Sequence, residues 1–310
     1  MARLGGEIEV AGAGPGCYPG CGGKRIIGKA QAFVPAGFAA RSGAIRRADL
    51  LLALVLLAAL NACAGVGVLT LRERGVAYSL FELFGISAIV WIALAAAAAM
   101  LWRSESSDPP RARDWAIGAI VLFAALMPSG AAGAAALTLL AVYMIGTAAP
   151  ASAERSAGLI CLAMTGSLLW GRVLLALFSG PLLGIDAALV GWLFGAHQVG
   201  NTVSFVDGTG RIIVAPGCSS WQGMSLALLF WVTVNRHYRV PFGWRATGWC
   251  LAALGATIAI NVVRMGAIIL YPAHIAAIHH GWGWHVFMWT TLAAVVAICL
   301  WGARDAIRRR

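Results

Sequence analysis

Apolar residues in this chain fall into long blocks separated by short polar and basic connections. The blocks cover about 50–71, 80–102, 115–127, 131–149, 157–179, 218–234, 246–272 and 283–303. A helix needs about 20 predominantly apolar residues to cross a bilayer, with a range of about 17–25, and most blocks meet that length. Pro128-Ser129-Gly130 splits the stretch 115–149 in two. A tight hairpin is expected there, because one helix of that length overshoots the hydrocarbon. A further block, 182–195, is too short to span and reads as interfacial or re-entrant. The pattern predicts an all-α polytopic membrane protein of about eight helices over 50–303. Residues 1–49 read as a flexible, basic, Gly-rich cytoplasmic tail, and 304–310 as a second basic tail. The extreme N-terminus lacks a signal-peptide pattern, and a true start further downstream is one expectation.

The basic residues orient the predicted spans. With the N-terminal tail inside, inner segments hold Arg41, Arg46, Arg47, Arg103, Arg111, Arg113, Arg155, Arg236, Arg239, Arg245, Arg304, Arg308, Arg309 and Arg310. Outer connections hold Arg72, Arg74 and Arg211. Both termini are then cytoplasmic. The main outer segment, 197–217, carries two β-branched runs, 202–206 and 211–214, around Asp207-Gly208-Thr209-Gly210. This predicts a short extracytoplasmic β-hairpin that delivers Cys218 to the start of the next helix.

Composition agrees with the pattern. The chain is 60% hydrophobic and 11% charged, with a mean hydropathy of +0.82, whereas a soluble domain carries about 25% charged residues. The net charge of +11 does not point to nucleic acid, because its arginines sit in clusters between apolar blocks. The bilayer is the expected partner. Of seven cysteines, Cys63, Cys161, Cys250 and Cys299 lie inside apolar blocks and read as small core residues. Cys17 and Cys21 form a lone C-x-x-x-C, which is a weak metal signal.

Three separated pieces carry chemistry. Cys218, in Pro216-Gly217-Cys218-Ser219-Ser220-Trp221, offers a thiol at the expected N-terminus of a helix, where the dipole favours the thiolate. Arg264, in Asn261-Val262-Val263-Arg264, lies within an apolar block, where an arginine usually faces a polar cavity or a partner. Asn261, three residues earlier, is placed to orient it. His279 and His280, in His279-His280-Gly281-Trp282-Gly283-Trp284, follow in the last outer connection, and His285 in the first turn of the last helix. A neutral imidazole there can accept the thiol proton, and any of the three fits that role. A structural pair of Arg172 with Asp186 is also expected. The histidines lack the H-E-x-x-H pattern of a metalloprotease, and no metal or organic cofactor is expected.

The outward Cys after a hairpin, Asn-x-x-Arg in the next helix and His-x-x-x-Gly-Trp before the last resemble the exosortase/archaeosortase family over roughly 157–303. That resemblance implies a membrane-embedded cysteine peptidase or transpeptidase acting on membrane-anchored proteins with C-terminal sorting signals. Cys218 then matches the nucleophile and Arg264 the family arginine. His279 matches the histidine through its spacing to Gly283-Trp284, with His280 one residue off and His285 third. Cys218-Ser219-Ser220 departs from the Cys-Ser-Gly common in that family. The alternative is a transporter or scaffold subunit of a polysaccharide-export system, using Arg172, Asp186 and Arg264 as an intramembrane polar path.

Overall fold

The computed structural model describes residues 45–309. Cys17, Cys21 and most of the expected N-terminal tail lie outside the described residues. In chain order the helices are α1 (Arg47–Phe81), α2 (Ala88–Trp102), α3 (Ala112–Leu126), α4 (Gly130–Thr147), α5 (Ala153–Thr165), α6 (Gly171–Leu177) and α7 (Ser179–Phe194). A small sheet follows, of β1 (Gln198–Val199), β2 (Thr202–Ser204) and β3 (Arg211–Ile213). The chain then forms α8 (Trp221–His237), α9 (Trp244–Leu270), α10 (Ile275–His279) and α11 (Trp282–Ile307). A π-helical segment, Gly166–Trp170, joins α5 and α6 into one rod. Among the described residues five helices are long and apolar enough to cross a membrane: α1, α4, the α5–α6 rod, α9 and α11. The described chain is thus predominantly helical, with a small three-stranded sheet.

The apolar blocks locate the elements, and the differences have local causes. The predicted break after residue 71 is shifted, because helix runs past it and two helical stretches of α1, which ends at Phe81, meet at a kink further on. Its polar stretch Arg72-Glu73-Arg74 stays helical, and the rod bends instead at Gly75 (φ 79°, ψ 173°), a conformation open to a residue without Cβ. The start of α1 at Arg47 lies inside the segment read as tail, because Arg47 has buried partners to reach. Its guanidinium donates to Asp114 Oδ1 (2.9 Å), Glu154 Oε2 (2.5 Å) and Thr147 Oγ1 (2.6 Å). The Pro128-Ser129 break holds: α3 ends at Leu126, and Ser129 caps α4 by accepting from the Ala132 amide (3.4 Å).

Block 182–195 becomes α7, which packs on α9 and the sheet. The hairpin forms as expected, β2 and β3 pairing antiparallel with Val203 opposite Ile212. Asp207 shapes its turn by accepting from the amide and hydroxyl of Thr209 (2.9 and 2.7 Å). A third strand, β1, adds to the other edge of β2. The Val206 amide donates to the Ile269 carbonyl at 3.1 Å, which fastens the sheet to the end of α9.

Two buried clusters divide the interior. The larger gathers α1, α2, α4 and α5 with parts of α8, α9 and α11, around Leu51, Leu101, Leu137, Leu140 and Ile160. The smaller lies beneath the sheet and gathers Val190, Val203, Val214, Cys218, Met265, Ile268 and Ile278. Cys218 is therefore part of a packed apolar floor assembled from α7, β2, α9 and α10.

Candidate active site

The nucleophile candidate is held by its neighbours in sequence. Cys218 ends the single 3₁₀ turn Pro216–Cys218, and Ser219 is extended (φ −80°, ψ 148°). Helix α8 starts only at Trp221, so the expected helix start at Cys218 is displaced. Asp186 of α7 is the cause. Its buried carboxylate accepts from Ser219 Oγ (2.6 Å), the Ser220 amide (2.9 Å) and Ser220 Oγ (2.7 Å). The thiol consequently stands outside the first turn of α8, beyond which the dipole effect falls away. Side chains from other elements decide its surroundings.

This arrangement corrects the expected Arg172–Asp186 pair. Arg172 is exposed on α6 and lines a cavity of about 200 Å³ with Pro216, Gly217, Trp221 and Gln222. The buried acid satisfies itself with the two serines instead. Sequence reasoning missed this role. The signal was available: one acid inside an apolar block requires donors, and Ser219-Ser220 supply two hydroxyls directly after the cysteine.

The histidine segment folds back over the site. Pro272 opens a 3₁₀ turn through His274, and α10 follows, ending at His279. Glycine allows the return: a Cβ on Gly283 would stand 2.8 Å from Ile278 Cα, so α11 can begin tight against α10 only without one. His279 Nε2 lies 2.9 Å from Cys218 Sγ. On the other side of the ring, His279 Nδ1 lies 3.1 Å from His280 Nε2 and 3.4 Å from His280 Nδ1. His280 thus meets His279, whereas His285 packs edge-on against Trp284 with centroids 5.1 Å apart.

Helix α9 contributes from beneath. Asn261 Nδ2 donates to the Cys218 carbonyl at 2.9 Å. It therefore steadies the backbone of the cysteine rather than orienting Arg264, as expected from their spacing. Arg264 is half-buried and interacts electrostatically with both Cys218 and His279. Its Nε is buried and has no hydrogen-bond partner among the described residues. Burial holds the His279 imidazole below its ordinary pKa of 6.5, and the neighbouring Arg264 and His280 lower it further. The ring is therefore neutral at neutral pH, the state a proton acceptor requires.

Comparison with known proteins finds no family model, no curated protein and no solved structure that matches this chain. Among the described residues no group of three or more His, Cys, Asp and Glu side chains is placed to hold a metal ion. A thiol, an imidazole acceptor, a second ring behind it and an arginine with an unused buried donor suit acyl transfer through sulfur.

Proposed function

We propose that this chain is a membrane-embedded cysteine peptidase or transpeptidase that removes the C-terminal sorting signal of membrane-anchored exported proteins. The observation that carries the reading is the 2.9 Å approach of His279 Nε2 to Cys218 Sγ across 61 residues of chain. If Nε2 accepts the thiol proton, Nδ1 carries the other ring proton and donates it to His280. His280 is then a positioning residue that selects the tautomer of His279.

The reaction follows from these roles. Cys218 Sγ attacks the scissile carbonyl carbon as its proton passes to His279 Nε2. The carbonyl oxygen becomes an oxyanion, which the guanidinium of the adjacent Arg264 stabilises. Collapse of the tetrahedral species breaks the C–N bond, and the leaving amine takes the proton from His279. A thioester remains on Cys218. Water or an amine on another molecule attacks it, returns a proton through His279 and frees the thiol. No metal or organic cofactor enters this scheme.

In this reading about eight helices cross the cytoplasmic membrane, both termini are cytoplasmic and the site opens on the extracytoplasmic face. The arginine distribution supports that orientation, and the resemblance to the exosortase/archaeosortase family supplies the substrate class. The alternative of a transporter using Arg172, Asp186 and Arg264 loses support from Asp186, whose carboxylate is occupied by Ser219 and Ser220.

Co-expression with a C-terminally tagged, membrane-anchored substrate tests the proposal. Wild type is expected to release the tail, and Cys218→Ala to retain it at equal expression. Equal processing by Cys218→Ala would remove the thiol from the mechanism.

A further inference from the structure

The opposite end of α8, α9 and α11 carries a second set of charged groups. α8 ends at His237, α9 begins at Trp244 and α11 ends at Ile307, and the three helices pack on one another. At this end lies a cavity of about 280 Å³ whose lining includes Arg245, Arg304, Arg309, Asp305, Trp249 and Trp301. Three guanidinium groups thus share one carboxylate. Among the described residues Arg245 has no hydrogen-bond or ion-pair partner. Arg304 lies over the Trp301 ring, 4.8 Å from its centroid, and reaches Asp305 Oδ1 only at 3.8 Å with both side chains partly in the open. A pair that long and that exposed contributes little. Arg309 donates its Nε to the Asp305 backbone oxygen (3.1 Å) rather than to the carboxylate.

The depth of the cavity identifies its surroundings. Along α9, Arg245 stands about 28 Å from Arg264 at about 1.5 Å rise per residue, close to the roughly 30 Å thickness of a hydrocarbon core. Trp244, Trp249 and Trp301 cluster at this end, as tryptophans do at the level of lipid headgroups. A concave site of net positive charge at that depth meets phosphate before any other anion. Guanidinium forks match phosphate oxygens in pairs, and the indole rings offer apolar walls to the glycerol and first methylenes. An ammonium beside the phosphate would be repelled by the same arginines.

We propose that this cavity binds the phosphate of an anionic phospholipid headgroup, with Arg245 and Arg304 as its main ligands. The inference rests on the membrane-spanning helices and is independent of the reaction at Cys218. The test uses the full chain, delipidated in nonionic detergent and analysed by native mass spectrometry during titration with phosphatidylglycerol, phosphatidylcholine or inorganic phosphate. Phosphatidylglycerol is expected to saturate one tight site, with phosphatidylcholine and inorganic phosphate binding far more weakly. Arg245→Gln with Arg304→Gln is expected to weaken phosphatidylglycerol binding about tenfold or more, the loss of one or two charge-assisted hydrogen bonds. Asp305→Asn, an exposed change that leaves the helices packed, is expected to tighten it. Equal binding of phosphatidylcholine, full competition by equimolar inorganic phosphate, or unchanged affinity in both variants overturns the proposal.

Discussion

Two arginines of the helical bundle, Arg47 and Arg264, have opposite surroundings. Arg47 is 3% exposed, and all three of its guanidinium nitrogens donate, to Asp114, Glu154 and Thr147. Tyr143 adds a hydroxyl donated to Asp114 Oδ1 at 2.6 Å, and the Arg111 amide adds another donor at 2.6 Å. One residue thereby ties α1, α3, α4 and α5 together at one end. Arg264 has an apolar floor, a thiol and an imidazole for neighbours, and an Nε without a partner. Arg236 shares a buried unpartnered Nε, but its guanidinium lies over the Phe242 ring (4.1 Å) and donates to the Val240 carbonyl (3.3 Å). A saturated buried arginine holds helices in place and has nothing left for a substrate. An unsatisfied one requires an explanation, and at Arg264 the adjacent thiol and imidazole provide one.

The largest effect is expected where the charges are saturated. Arg47→Met leaves Asp114 and Glu154 without their counter-charge, a cost of about 3–5 kcal/mol. Thermal unfolding in detergent should show a much lower Tm, with substrate processing per folded molecule unchanged. Arg264→Lys should do the reverse. An ammonium lacks the planar fork, and losing an oxyanion donor costs roughly 10²–10³ in rate, while the Tm stays near wild type. If Arg264→Lys lowers the Tm strongly while processing per folded molecule stays near wild type, the contrast between the two arginines is wrong.

Smaller effects sharpen the same contrast within the site. Asp186→Asn removes the charge that strengthens three hydrogen bonds and leaves one acceptor oxygen in place of two, a penalty of about 1–3 kcal/mol at the turn that carries Cys218. Thiol labelling of Cys218 should slow without being lost, and Asp186→Ala should slow it further. The smallest effect is in pH. Because burial, Arg264 and His280 all depress His279, the acidic limb of processing should lie below pH 6.5, and His280→Ala should move it upward. The same depression means that the unfolded chain binds more protons than the folded one just below pH 6.5. His279 therefore contributes a loss of stability as pH falls from 6.5 to its folded value. An acidic limb above pH 6.5, or one that ignores His280, would detach His279 from the reaction.

Cys218, Arg264 and the His279-His280 segment stand out in the sequence because a polar group in or beside an apolar block is costly and needs a reason. The helices are legible from the same principle, since a bilayer-length apolar block has few other uses. So is the hairpin, from its β-branched runs around Asp207-Gly208. What each polar group pairs with is a different kind of fact. Spacing along α9 suggests that Asn261 serves Arg264, but the tertiary fold sets the Cys218 carbonyl within 2.9 Å of its amide. Charge suggests Arg172 for Asp186, but α7 packs where Ser219 and Ser220 reach its carboxylate first. Arg47 reads as a tail residue until α3, α4 and α5 bring it partners. Local pattern reports which groups leave water at a cost. Only the packing of distant helices decides which donor stands within 3 Å of which acceptor, because hydrogen bonds depend on distance and direction that spacing in the chain does not encode. Spacing to Gly283-Trp284 already ranks His279 above His280 and His285, but its contact with the thiol belongs to that second kind, made where α10 folds back from Pro272 and brings one ring nitrogen to the sulfur.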